Sequence, residues 1–217
     1  MNTSSLPVST LVNKYIPKNA FDTYTNTKQK RLFIEVIDKI RWTNKLSSQT
    51  INLPGKEIQE IQIFEIDLKK NQSISEVLTI INKAIPYHII FIINYNNQIM
   101  LSASQKHPHP TNDHQSVIDW SFSSDWYEKD SDKYQLKLEQ SIDHVFLDLC
   151  KQLSGVKRIK NKSIADVIQH EMRLKELESS IEKLQSAIRK NSQFNKKVEL
   201  NLELQKKLAE LETLKNL

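Results

Sequence analysis

Glycine is nearly missing from this chain: Gly55 and Gly155 are the only two in 217 residues. A phosphate-cradling loop needs clustered glycines, because backbone amides must approach the phosphate with no side chain in the way. Without such a cluster, a P-loop or a Rossmann-type nucleotide site is not expected. A nucleophile elbow, with glycines on either side of the nucleophile, is missing too. Cys150 is the single cysteine, so no disulfide can form within the chain, and a reducing cytoplasm is the expected compartment. No apolar run nears the ~20 residues of a bilayer-crossing helix. With 38% hydrophobic residues and a mean hydropathy of −0.53, the composition is that of a soluble protein, with no membrane expected as partner. The first residues lack a positively charged region followed by an apolar stretch, so no secretory signal is read there.

Charge is present but unevenly placed. Residues 1–155 hold 17 Lys+Arg and 17 Asp+Glu, while residues 156–217 hold 14 and 9 and so carry the whole net +5. Within the first part, residues 113–148 hold 3 basic against 9 acidic side chains, which sets an acidic middle between a basic front and a basic tail.

The stretch Arg31 to Leu68 organises the rest. Phe33, Ile34, Val36, Ile37 and Ile40 recur at helical spacing, which predicts a helix from about Lys28 to Ile40, capped by Asn26 or Thr27. Arg41 to Leu53 reads as extended. Pro54-Gly55 marks a tight turn, since Pro presets φ and Gly accepts positive φ. Lys56 to Lys69 is the clearest strand, with apolar residues on both parities, which predicts a central strand with its faces at least partly covered. Elsewhere, Leu11 to Ile16 reads as a short helix ending before Pro17. A helix opening at Ser73 or Ser75 ends near Ala84, because Pro86 disfavours helix before it. Tyr87 to Tyr95 is a buried strand, Asn96-Asn97 a two-residue turn, and Ile99 to Ser104 the returning strand. Lys106 to Gln115 reads as a His- and Pro-rich loop, Val117 to Ser123 as a strand, Asp125 to Lys133 as an acidic connection, and Leu136 to Leu153 as a helix. The expected fold class is α/β (α+β): a mainly antiparallel or mixed sheet with packed helices over residues 1–155. A basic linker covers 156–163 and a helical tail 164–217.

The tail carries heptads. Leu174, Leu177, Ile181, Leu184 and Ile188 fall on seam positions after Val167, with His170 in the one polar place. Phe194, Val198, Leu204, Leu208 and Leu211 continue the seam, with Asn201 set to fix register. Two arrangements stay open: an intermolecular coiled coil that makes a homo-oligomer, and an intramolecular hairpin turning at Asn191-Ser192.

Four further constellations bear on chemistry. Asp67-Leu68-Lys69 is a D-x-K at a strand end, as in metal-dependent nucleases, with Glu35, Asp38 and Glu65 as the available second carboxylates. Its bland counterpart is a solvated strand end, and no Pro-Asp precedes it. His107, His109, Asp113 and His114 crowd one stretch and are good Zn²⁺ ligand types, but Pro108 and Pro110 separate the histidines; a solvated loop is the plainer reading, and no metal or cofactor is expected. Lys28, Lys30, Arg31, Arg41 and Lys45 lie near Trp42, with Lys157, Arg158 and Lys160 in the linker. Basic side chains contact phosphates and an aromatic stacks on a base, so these are the candidate nucleic-acid-binding residues. Ordinary surface charge around a core tryptophan is the plainer reading. Finally, Trp120, Phe122, Trp126, Tyr127 and Tyr134 sit among acidic residues, either as interface aromatics or as core.

Several pieces, in order, carry a resemblance. They are Tyr15-Ile16-Pro17-Lys18; Ile40-Arg41-Trp42-Thr43-Asn44-Lys45-Leu46 with Thr50-Ile51-Asn52; Glu60-Ile61-Gln62-Ile63-Phe64; Ala84-Ile85-Pro86-Tyr87; and Gln193-Phe194-Asn195-Lys196-Lys197-Val198-Glu199-Leu200-Asn201. Together they resemble a bacterial family called domain of unknown function forty-three ninety-one, over almost the whole chain. No shared His cluster is known for that family at Lys106 to His114, and it has no activity to carry over. Its members look like companions of a helicase and a DNA methyltransferase in restriction or phage-defence gene clusters. The resemblance therefore implies a non-catalytic accessory or assembly subunit that docks a helicase or DNA methyltransferase. A nucleic-acid-binding module comes second and a metal-dependent nuclease third.

Overall fold

The structure, a computed structural model, describes residues 5–129, 131, 133–155 and 163–215, with only the backbone of Asp113 and His114. The chain falls into two compact units, Met1–Leu153 and Ser154–Leu217.

The first unit is built on a seven-stranded mixed sheet. β1 (Leu11–Ile16), β2 (Ile37–Ser47) and β3 (Glu60–Leu68) pair antiparallel in that order. β4 (His88–Tyr95) lies parallel to β3, and β5 (Gln98–His109), β6 (Asn112–Ser123) and the short β7 (Tyr127–Glu128) add antiparallel pairs, β7 on β5. The expected α/β class with a mainly antiparallel, mixed sheet is what the chain forms. Its α-helices are α1 (Thr27–Glu35), α2 (Ser48–Ile51), α3 (Ser75–Ala84) and α4 (Ile142–Ser154), with short 3-10 helices at Val8–Thr10 and Lys18–Tyr24. A parallel pair needs a crossover, and α3 supplies it between β3 and β4.

Both sheet faces are covered. Ile40, Phe64, Ile66, Phe91 and Ile93 join Phe33 of α1 and Val77, Leu78 and Ile81 of α3 in one buried cluster. The alternate residues Ile61, Ile63, Ile90 and Ile92 point the other way and are buried too. On that second face His88, in register with Ile61, meets Phe146 of α4 edge-on, ring centres 4.8 Å apart. Ile142, Val145, Phe146 and Leu149 of α4 are all within 1% of full burial. Burial on both sides explains why β3 and β4 read as near-continuous apolar runs.

Local details depart from the sequence expectations. β1 is a strand, not a helix; it pairs with β2 and leaves most of its side chains exposed. α1 stops at Glu35, with its N-terminus closed by an Asn26–Gln29 capping box, and β2 begins at Ile37. The β2–β3 connection is α2 plus a loop, not a tight turn. Gly55 does not adopt a positive φ there; it is needed because a Cβ would sit 2.3 Å from the Ile58 carbonyl oxygen. The supposed loop at 106–115 is mostly the paired ends of β5 and β6, and the acidic connection contains β7. α4 starts at Ile142, after Leu136 and Leu138.

In the second unit, α5 (Ile164–Lys190) and α6 (Phe194–Lys215) form an antiparallel hairpin, opened by a Ser163–Asp166 capping box. Ties across it are His170 Nε2 to the Leu214 carbonyl at 3.1 Å, Arg173 to Glu210, and Lys215 Nζ to Glu178 at 2.9 Å. Of the two arrangements open from the heptads, the chain adopts the hairpin. The linker cations Lys157, Arg158 and Lys160 lie outside the described residues. No described helix is long and apolar enough to cross a membrane.

Candidate interaction surfaces

Strand pairing decides what the basic front can do. Arg41 stands opposite Glu65 and Lys39 opposite Asp67 across β2 and β3. Arg41 is ion-paired with Glu65, and Lys39 Nζ lies 3.1 Å from Asp67. Farther along, Lys45 Nζ lies 2.9 Å from Glu60, whose other oxygen accepts from Gln62. These pairs turn the β2 cations into rungs of a cross-strand charge ladder. Arg41 and Trp42 alternate along β2, so they point to opposite sheet faces. Trp42 packs against the α1-side core and donates its indole N–H to the Asn44 carbonyl at 3.0 Å. The candidate nucleic-acid residues are therefore split: Arg41 on one face, Trp42 on the other, and Lys28, Lys30 and Arg31 on α1. Lys30 pairs with Asp22 at 3.1 Å, while Lys28 and Arg31 have no ionic partner among the described residues.

The D-x-K is engaged structurally. Asp67 sits between Lys39 and Asn94, the latter donating at 2.8 Å, so its register neighbours are a cation and an amide. Lys69 Nζ donates to the Ile34 carbonyl at 2.9 Å and its backbone N–H to Val36, which ties off the C-terminal end of α1. Lys18 reaches the same end through the Ile37 carbonyl at 2.6 Å; burial and the neighbouring Lys69 hold its ammonium below the usual lysine range. His107 lies 2.9 Å from Asp119, and His109 Nδ1 accepts from the Thr111 N–H. Among the described residues, no group of three or more His, Cys, Asp or Glu is placed to hold a metal ion. Of the acidic-stretch aromatics, Phe122, Tyr127 and Tyr134 are buried, the last two with ring centres 5.1 Å apart under Lys133.

Sequence reasoning missed Lys106. It is 3% exposed, and its Nζ donates to the carbonyls of Asn82 at 2.8 Å and Ile85 at 2.6 Å, at the C-terminal end of α3. A cation there meets the negative end of the helix dipole. Burial pushes its pKa down to about 7, and burial together with Lys106 pushes His88 down to about 4. The only signal was a lysine in a stretch otherwise reading as loop. Cys150 is fully buried, which pushes its thiol far above the range of a reactive thiolate.

On the hairpin, the seam differs from the heptad reading. Leu177, Ile181 and Leu204 are buried, with Leu174, Leu184, Ile188 and Leu211 partly so. Leu200 and Leu214, unassigned by the heptads, are partly buried too. Phe194 (78% exposed), Val198 and Leu208 lie outside the seam, as does Asn201, whose amide bonds back to the Lys197 carbonyl of its own helix. α6 thus has an apolar row turned inward and a second one, with Leu202, turned to solvent.

The chain belongs to the family Domain of unknown function (DUF4391), whose model matches residues 5–211. No curated protein and no solved structure matches it. The DUF4391 match runs from before β1 to within four residues of the end of α6, so sheet and hairpin are one family unit and the hairpin is not a private appendage.

Proposed function

We propose that this DUF4391 chain is a non-catalytic accessory subunit of a bacterial anti-phage or restriction-modification-like complex, docking a helicase or DNA methyltransferase. The observation that carries the assembly role is the outer face of α6, where Phe194, Val198 and Leu202 are 78%, 43% and 61% exposed. A contiguous apolar row left in solvent supports an interaction surface there. The engagement of Asp67, Glu65 and Lys69 in structural pairs favours this reading over the nuclease. The helicase or methyltransferase context comes from the resemblance alone. Tagging the chain in its host and identifying what co-purifies, with and without nuclease treatment, tests the reading. A helicase or methyltransferase retained after nuclease supports it; a chain that copurifies with neither sinks it.

The second reading is nucleic-acid contact, favoured by Lys28 and Arg31 on the exposed side of α1. It expects binding that weakens steeply with salt and on neutralising those two residues. Partners lost on nuclease treatment would move it to first place.

A further inference from the structure

The outer face of α6 has a pattern of its own. At ~100° per residue, Val198, Leu202, Gln205 and Ala209 form one stripe without a charge in it. All four are exposed. Phe194 and Leu208 run along one flank, and Glu199 and Lys206 along the other. The residues of the stripe are spaced three and four apart, as a and d positions are in a coiled coil.

We infer that this stripe is a self-complementary interface that pairs α6 antiparallel with α6 of a second copy of the chain, making a four-helix assembly of two hairpins. Two independent matches select a second copy as the occupant. The first is size: with the twofold axis between positions 203 and 204, Val198 lies opposite the small Ala209 of the second copy, and Leu202 opposite its Gln205. The second is charge: across the same axis, neighbours on like flanks are offset by two residues, about 3 Å along the helix, which brings Glu199 within reach of Lys206 of the second copy and Lys206 within reach of its Glu199. In an antiparallel pair like flanks meet, so this register brings the acid of one flank near the base of the other, whereas a shift of a heptad either way sets Glu199 near Glu199 or Lys206 near Lys206. Glu199 presently pairs with Lys196 at 2.8 Å, an exposed contact three residues away that contributes little and is easily exchanged. The apolar patch is small, so association is expected to depend on concentration, at roughly tens of micromolar.

The inference rests on the assembly reading only in treating the tail as an assembly device. The full chain is weighed in solution from low to high micromolar concentration. The expected mass rises from 25.4 kDa towards twice that value. Leu202→Glu, at an exposed position, keeps its helicity and stays at the lower mass. Glu199→Lys and Lys206→Glu each weaken the dimer roughly tenfold, and the double variant regains it. Register is read by mixing Leu202→Cys and Gln205→Cys chains under oxidation, since native Cys150 is buried and silent. The mixture is expected to give a crosslinked dimer, and Leu202→Cys mixed with Glu182→Cys, on α5, none. A chain that stays at 25.4 kDa throughout, or a dimer whose mixed cysteines fail to crosslink, overturns the inference. So does a charge swap that does not restore association. A monomer that still captures its host partner overturns this inference alone; a dimer that captures nothing overturns the assembly reading alone.

Discussion

Three backbone N–H groups of the β2–β3 connection converge on one carboxylate. Lys56, Glu57 and Ile58 donate to Asp143 at 2.8, 2.9 and 2.9 Å, and the Ile142 N–H returns a bond to the Pro54 carbonyl. Burial works to raise the Asp143 pKa, but these donors outweigh it and hold the carboxyl below its ordinary value. Asp143→Ala leaves the donors to water and is expected to lower stability by about 1–3 kcal/mol in denaturant titrations, and Asp143→Asn by less. Because the folded pKa is depressed, the contribution is present above the ordinary value of 3.8 and fades as pH falls through the folded one. His88 has its own signature at milder pH. Its folded pKa is about 4 against 6.5 unfolded, so the unfolded chain takes up the proton first and stability falls as pH drops from 6.5 to 4. The expected loss is about 3 kcal/mol. His88 Nε2 is buried without a partner, so His88→Leu should keep most of the stability at pH 7 and flatten this slope. An unchanged slope in the variant would assign the acid sensitivity elsewhere. At Gly55 the Ile58 carbonyl leaves no room for a methyl group, so Gly55→Ala is expected to cost about 1–3 kcal/mol by the same titration.

Elements were legible in proportion to how local their causes are. The α1 cap, the turn with Asn96 at φ 52° and the end of α3 before Pro86 are set by a few neighbouring residues, and the sequence reading placed them. β4 declared itself because burial on both faces requires an unbroken apolar run. β1 did not: its strand state comes from pairing with β2, and an exposed edge strand needs no apolar alternation. The far ends of β5 and β6 were hidden because Pro108 sits beside a register shift, where a ladder tolerates proline. The charged candidates were legible as residues but not as partners. Only register reveals that Lys39 and Arg41 each face a carboxylate on β3. The heptads in α6 were ambiguous because two apolar rows run side by side, and spacing alone does not say which one α5 covers. That choice is testable. Leu177→Ala, in the buried seam, is expected to destabilise the hairpin by about 2–4 kcal/mol and lower the helical signal. Phe194→Ala should leave the helical signal of the monomer unchanged. The reverse result would return Phe194 to the seam.

At the scale of the whole chain, the two compact units differ in what stabilises them. The first has a two-faced core around a central sheet, whereas the second is a single helical hairpin with a handful of buried seam residues. Helices of this kind gain most of their stability from packing one apolar face, and a small hairpin buries little. The second unit should therefore melt first. The chain carries its own reporters for this: Trp42, Trp120 and Trp126 all lie in the first unit, while α5 and α6 supply most of the helix. On heating a dilute sample, the circular dichroism signal at the helical band is expected to fall at a lower temperature than tryptophan fluorescence changes. Raising the concentration should move the first transition upward and leave the second in place, because a second copy binds only the folded hairpin. Coincident transitions at every concentration would mean that sheet and hairpin unfold as one body. The accessory role would then rest on a single rigid surface and not on a separable assembly arm.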